Sequence, residues 1–222
     1  MKKSLFIGYY GFWVCLTYLS IVLAIVGMYF ALGGNVGYAV ICLMLCGLCD
    51  TFDGTIAKRA KRIKREESYG IQLDALADII SFGVFPAVIG YAVGTNYLSQ
   101  DYASFGMIIS MGIAALYVIT ALIRLAYFNV IEIELQENKE TRSYYEGLPV
   151  TFVALIIPAV YSVCLFFNIA FSAVYDIMLF IISILFILKV KTPILKGRKR
   201  LIFLFIGLPL IIYLIINIGV TI

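Results

Sequence analysis

The sequence predicts an all-α fold, a polytopic transmembrane helical bundle. Of its 222 residues, 63% are hydrophobic and only 14% are charged, which is too apolar for an ordinary soluble domain. Apolar runs of about 20 residues, the length that an α-helix needs to cross a bilayer, recur along the chain. No internal repeat divides the sequence, so we expect residues 1–222 to form a single integral membrane domain.

Seven apolar segments are predicted to span the membrane. In chain order they are Tyr9–Leu32, Val36–Ala57, Ile71–Val93, Ala103–Tyr127, Leu148–Phe167, Phe171–Leu188 and Leu201–Val220. Pro86 is expected to bend the third span. The polar segment after the fourth span, residues 131–147, is expected to be a solvated loop.

The distribution of basic residues predicts the orientation. The 17 Lys and Arg residues lie at the N-terminus, after the second, fourth and sixth spans, or at the end of the fourth span. Because positive residues mark the cytoplasmic side, we expect a cell-membrane protein whose N-terminus is cytoplasmic and whose C-terminus is outside. The net charge of +4 belongs to these membrane-flanking residues and does not indicate nucleic-acid binding.

Residues 50–78 hold the chemistry-bearing side chains. Four carboxylates lie at predicted membrane depth, Asp50 and Asp53 in the second span and Asp74 and Asp78 in the third. Carboxylates at this depth are energetically costly and therefore indicate function. Spacings of three and four residues put each pair on one helix face. Since consecutive spans are antiparallel, the two pairs can face one another on the cytoplasmic side.

Four neighbouring carboxylates at low dielectric could not all remain ionised without a cation. The sequence contains no histidine, so oxygen ligands are expected, and these favour the hard cations Mg²⁺ or Mn²⁺. Two such ions would form a clamp suited to phosphoryl transfer. A cation path through a transporter is the alternative from another class, although the paired repeats typical of transporters are not found.

The spacing of seven residues resembles the signature of the CDP-alcohol phosphatidyltransferase family. The matching residues are Asp50, Asp53, Gly54 and Ala57, followed by Gly70, Asp74 and Asp78. Enzymes of that family displace CMP from a CDP-linked lipid or alcohol with a hydroxyl acceptor.

The resemblance implies a six-span core, with the seventh span additional, and a homodimer. It also implies that the four aspartates hold two divalent cations and that Asp78 takes the acceptor's proton. Gly54, Ala57 and Gly70 would lie against the CDP-lipid. Where the family usually has Arg after the Ala, this chain has Lys58 and then Arg59, which leaves open which of the two binds the diphosphate.

Residues 81–87, 124–130 and 147–152 resemble segments of bacterial and archaeal phosphatidylserine synthases. That resemblance implies CDP-diacylglycerol as donor and L-serine as acceptor, with glycerol 3-phosphate or inositol phosphate as other acceptors left open. Arg124, followed by Arg142, is the candidate partner of the serine carboxylate, because Arg binds carboxylates well. Asn129 and Glu146 are the candidates for the serine ammonium.

Overall fold

The structure is a computed structural model that describes residues 7–60, 63–95, 103–138, 144–189, 191–193 and 200–220. It is built almost entirely of helices. After a 3₁₀ turn at Phe12–Val14, the helices are α1 Cys15–Leu32, α2 Val36–Arg59, α3 Lys64–Asp78, α4 Phe85–Thr95, α5 Ala103–Asn138, α6 Val153–Phe167, α7 Phe171–Ile187 and α8 Arg200–Val220. The predicted all-α membrane bundle is confirmed.

Five helical segments of the described residues are long and apolar enough to cross a membrane. They are Phe12–Leu32, Val36–Gly54, Lys64–Gly94, Gly106–Leu135 and Val150–Phe167. The apolar stretches Val174–Ile187 of α7 and Phe205–Asn217 of α8 are shorter. Each predicted span therefore corresponds to a helical segment, and the chain is a multi-pass membrane protein.

The third span contains a π-helical segment, Ile79–Val84, between α3 and α4. Pro86 follows this segment and has no N–H to donate to the carbonyl of Phe82, four residues earlier. The hydroxyl of Tyr117 donates to that carbonyl instead, at 2.5 Å. Tyr175 donates to the carbonyl of Pro86 itself, at 2.7 Å. Side chains of α5 and α7 thus satisfy the backbone groups of an irregular span, as an apolar medium requires.

The helix α5 is longer than the sequence predicted. It continues to Asn138, eleven residues past the predicted end of the fourth span, so the expectation of a solvated loop is wrong for residues 131–138. A helix can continue into water because its backbone hydrogen bonds are internal. The length of the apolar segment alone therefore underestimates the length of the helix. Residues 139–143 of the predicted loop lie outside the described part of the chain.

A short antiparallel ladder follows α5. The strand β1, Tyr144–Glu146, pairs with β2, Lys191–Pro193, so that Tyr145 lies opposite Thr192. Next come a left-handed Gly147 and a 3₁₀ turn at Val150–Phe152. The ladder joins the chain before α6 to the chain after α7, at the end of the bundle where the four aspartates lie.

The core lies between α1, α2, α4, α5, α6 and α7, and Leu214 of α8 adds to it. Its largest fully buried side chains include Tyr117, Tyr175, Phe82, Phe85 and Phe186. The third span packs closely within this core at a small residue, since a Cβ at Gly90 would lie 3.0 Å from the Tyr175 ring. Close helix approach at small residues is the usual packing mode in membranes, and here it fixes the span that carries Asp74 and Asp78.

Candidate active site

Three of the four aspartates converge. Asp50 comes from α2, and Asp74 and Asp78 come from the end of α3, directly before the π-helical segment. Each of the three can offer one carboxylate oxygen such that these oxygens all lie within 4.8 Å of one another. The side chains are half-buried, in helical segments that are long and apolar enough to cross a membrane. The predicted pairing of the two spans is therefore present in the structure.

Asp53 lies beside this triad and not within it. It is 9% exposed, and together with Asp74 it lines the larger of two cavities. Residues three apart on an α-helix differ by about 60° in direction. Asp50 and Asp53 therefore share a broad face of α2 but point to different sides of Asp74.

Two cavities meet at the aspartates. The larger, of about 340 Å³, is lined by Asp53 together with Gly54 and Gly70. The smaller, of about 210 Å³, is lined by Asp50 together with Arg124 and Thr151. Four residues line both, and they form the boundary between the two cavities: Asp74, Asp78, Leu125 and Phe128. The carboxylates thus stand where a group bound in one cavity could react with a group bound in the other.

Arg124 is the cationic side chain of the smaller cavity. It is 6% exposed, and its Nε donates to the carbonyl of Leu148 at 3.2 Å. Its guanidinium carbon lies 5.7 Å from the centre of the Phe128 ring, within the range of a cation–π interaction. These contacts hold the guanidinium inside the bundle.

The loop before α6 builds the other wall of the smaller cavity. Pro149, Val150 and Thr151 line it. The loop is fastened to α7, because the N–H of Leu148 donates to the carbonyl of Leu185 at 3.2 Å. The end of α7 therefore sets the position of the loop, and the loop carbonyl in turn sets the position of Arg124.

Gly147 is required at the start of this loop. Its φ is +75°, a conformation that side chains with a Cβ rarely adopt. A Cβ there would lie 3.0 Å from the carbonyl oxygen of Phe186 and 3.2 Å from that of Leu188. The turn can therefore approach the backbone of α7 this closely only with glycine.

The structure brings together part of the predicted site. Gly54 and Gly70 line the larger cavity, and nothing lies within 4 Å of a Cβ built at Gly54. Asn129, the predicted partner of the serine ammonium, lines the larger cavity, whereas Arg124 lines the smaller one. Ala57, Lys58 and Arg59 belong to the last turns of α2 and Glu146 to β1, but their side chains lie outside the described part of the structure, as does the whole of Arg142.

Several lining residues were not predicted from the sequence. Thr151 adds a hydroxyl to the smaller cavity. The larger cavity is also lined by Trp13, Thr17 and Glu132. Glu132 had been assigned to a solvated loop and is reached because α5 continues past the predicted span. A sequence signal existed only for Thr151, which lies in the segment that resembles phosphatidylserine synthases.

The aspartate triad fits a hard divalent cation. Mg²⁺ and Ca²⁺ bind oxygen ligands at about 2.0–2.6 Å, so ligands of one ion lie within about 5 Å of each other. The three carboxylate oxygens meet this requirement at 4.8 Å. Carboxylates without imidazole or thiolate are the ligand set of Mg²⁺, Mn²⁺ and Ca²⁺. The cluster can therefore hold a metal ion.

Comparison with known proteins gives the family. The sequence model of the CDP-alcohol phosphatidyltransferase family matches residues 14–188. A CDP-diacylglycerol–serine O-phosphatidyltransferase of Saccharomyces cerevisiae is 36% identical over 136 residues, which are 58% of this chain and 45% of the yeast protein. An archaetidylserine synthase of Methanothermobacter thermautotrophicus is 28% identical over 180 residues, 81% of this chain and 65% of the relative.

A Helicobacter pylori CDP-diacylglycerol–serine O-phosphatidyltransferase is 32% identical over 110 residues, 50% of this chain and 40% of that protein. The chain thus spans about two fifths to two thirds of the length of these relatives. The matched family segment runs from the end of the 3₁₀ turn before α1 to the end of α7, and it includes both aspartate pairs and every lining residue of the two cavities except Trp13. The chain belongs to the CDP-alcohol phosphatidyltransferase family.

Proposed function

We propose that this protein transfers the phosphatidyl group of CDP-diacylglycerol to the hydroxyl of L-serine, giving phosphatidylserine and CMP. The observation that supports this reaction is the pair of cavities that share Asp74 and Asp78. One substrate can bind on each side of the carboxylates. The yeast relative is named for serine as acceptor, and the archaeal relative is named for a serine-containing product.

The larger cavity is proposed for the CDP-lipid. Its volume of about 340 Å³ and the open space at Gly54 leave room for a nucleotide diphosphate beside α2. Gly70 on α3 would form the facing wall, with Asn129 contributing a polar group from α5. Ala57, Lys58 and Arg59 are proposed to continue this binding surface toward the cytoplasm, where a cationic side chain would neutralise the outer phosphate.

The smaller cavity is proposed for serine. Arg124 would bind the serine carboxylate, with its guanidinium already oriented by Leu148 and Phe128. The Thr151 hydroxyl can donate to the carboxylate or accept from the ammonium. Glu146 and Arg142 are retained as proposed acceptor-side residues that would approach from the loop.

The proposed chemistry takes place at the boundary. Asp50, Asp53, Asp74 and Asp78 would hold two divalent cations, Mg²⁺ or Mn²⁺, which when bound neutralise the diphosphate and the charge that develops on the leaving oxygen. Asp78 accepts the proton of the serine hydroxyl. The serine oxygen forms a bond to the lipid-side phosphorus while the bond from that phosphorus to the CMP oxygen breaks. Leu125 and Phe128 keep water from the same position.

In this arrangement the serine oxygen attacks the lipid-side phosphorus from one side and the CMP oxygen leaves on the opposite side. The acceptor enters from the cavity lined by Arg124, and CMP leaves into the cavity lined by Gly54. Both substrates must then be bound together, without a covalent enzyme intermediate. The proposal further includes a homodimer and a cell-membrane location with the N-terminus and the active site cytoplasmic, for which the family resemblance and the distribution of Lys and Arg are the support.

CMP release by the purified protein tests the proposal. The protein would receive CDP-diacylglycerol with Mg²⁺ or Mn²⁺, and serine, glycerol 3-phosphate or inositol phosphate in separate reactions. Release that depends on serine is expected. Release with a different acceptor would refute the serine assignment and keep the two-cavity mechanism. Folded protein that transports cations into liposomes and releases no CMP with any acceptor would refute the reaction itself.

A further inference from the structure

A third cavity lies behind Arg124, on the outer surface of the bundle. Its volume is about 180 Å³, and it lies between α5 and the C-terminal end of α7. From α5 it is lined by Ile123, Arg124 and Tyr127, and from the end of α7 by Ile187, Leu188 and Lys189. Ile123, Tyr127 and Ile187 are 49%, 41% and 54% exposed. The cavity is therefore an open groove on the surface that faces lipid.

Two cations lie in this largely apolar groove. Lys189 follows the last turn of α7 and is exposed, with its Nζ 5.8 Å from the centre of the Tyr127 ring. Arg124 forms the inner wall, and this side chain separates the groove from the smaller cavity of the active site. The groove lies at the same end of the bundle as the aspartates, which is the predicted cytoplasmic side.

We propose that this groove binds the head group of one anionic phospholipid of the surrounding leaflet. Its phosphate would lie beside Lys189, and its glycerol and first methylene groups would pack on Ile123 and Ile187. Basic pockets between transmembrane helices at the membrane surface bind anionic lipids through this combination of charge and apolar contact. A zwitterionic head group carries its own cation, which Lys189 and Arg124 would repel.

Interfacial anchoring alone does not account for the groove. Lys and Tyr commonly lie at the membrane surface, where the amine reaches water and the ring lies at head-group depth. Such anchoring requires only exposed side chains. Here Tyr127 is on α5 and Lys189 follows the end of α7, the amine lies over the ring, and a second cation closes the inner end. The arrangement encloses a volume that an anchor would not need.

Native mass spectrometry tests the proposal independently of catalysis. The full chain would be purified in detergent with EDTA and without CDP-lipid, then given equal amounts of phosphatidylglycerol and phosphatidylcholine with identical acyl chains. We expect wild-type protein to retain phosphatidylglycerol selectively. Lys189→Gln should lower that retention about fivefold, the effect of one basic residue near an anionic lipid.

Two further variants separate the groove from general surface charge. Lys64→Gln removes one charge from an exposed position at the start of α3 and should change retention less than twofold. Ile123→Trp keeps both cations but fills the groove from an exposed position, so it should lower retention as Lys189→Gln does. Equal retention of the two lipids, equal losses in the two lysine variants, or full retention by Ile123→Trp would each overturn the proposal.

Discussion

Replacing Gly147 by Ala should weaken acceptor binding while leaving donor binding intact. Gly147 begins the loop whose carbonyl, at Leu148, holds the Arg124 guanidinium. An L-residue at a φ of +75° costs about 1–2 kcal/mol. The new Cβ would also meet the carbonyl oxygens of Phe186 and Leu188 at 3.0 and 3.2 Å. The loop can relieve both effects only by moving away from α7.

The size of the effect follows from the hydrogen bond that this movement stretches. Arg124 Nε and the Leu148 oxygen are already 3.2 Å apart, so a shift of a few tenths of an ångström takes the pair beyond hydrogen-bonding distance. A hydrogen bond to a charged group contributes about 1.5–3 kcal/mol. We therefore expect the KM for serine to rise at least about tenfold, with less than a threefold change in the KM for CDP-diacylglycerol.

Gly34→Ala is the matched control for this prediction. Gly34 also has a left-handed φ, +81°, but nothing lies within 4 Å of its Cβ position, and it connects α1 to α2 away from both cavities. Steady-state CMP release would be measured for both variants beside their melting temperatures. Both should melt at lower temperature, and only Gly147→Ala should change the KM for serine. An unchanged KM in Gly147→Ala, or the same increase in Gly34→Ala, would refute the reasoning.

Three other substitutions test other parts of the site and the fold. Asp78→Asn should lower CMP release at least about a hundredfold, the contribution of a general base, without lowering the melting temperature, because one of several neighbouring like charges is removed; near-normal release would remove Asp78 from the mechanism. Gly54→Leu should fill the larger cavity and raise the KM for CDP-diacylglycerol but not the KM for serine. Gly112→Leu, at a position where a Cβ also meets nothing within 4 Å, should change neither KM. Equal changes in the KM for CDP-diacylglycerol in the two variants would place the donor elsewhere. Tyr117→Phe should lower the free energy of unfolding by about 1–3 kcal/mol, because a backbone carbonyl of the third span loses its partner inside the bundle. Tyr29→Phe, at a side chain that is 76% exposed, is the control in thermal unfolding, and equal melting temperatures of the two variants would contradict the expectation.

The sequence was sufficient to bring the aspartates together. Spacings of three and four residues put Asp50 and Asp53 on one helix face and Asp74 and Asp78 on another. Because consecutive spans are antiparallel, these faces meet at the same end of the bundle. The sequence did not predict that Asp50 and Asp53 line different cavities. This difference depends on a rotation of about 60° between residues three apart, which decides the cavity that each carboxylate lines only once the position of α5 is known.

Features that depend on distant contacts could not be predicted. Thr151 lines the active site because the loop before α6 is fastened to the end of α7, a contact between segments more than 30 residues apart. The π-helical segment at Ile79–Val84 has no local sequence signal except the proline that follows it. The extent of α5 was underestimated because hydropathy measures the apolar thickness of a membrane and not where a helix ends.

The two tyrosine hydroxyls that donate to the third span also fix the position of Asp78 within the bundle. Tyr117 and Tyr175, from two different helices, bond the carbonyls of Phe82 and Pro86, one helical turn apart. A displacement of the third span by one helical turn, about 5.4 Å, would break both bonds together. The third span is therefore held at one height relative to α5 and α7, and Asp78, only four residues before Phe82, is held with it. A membrane of different thickness can tilt the whole bundle, but the carboxylates of the third span would keep their position relative to Arg124 and the other cavity residues of α5.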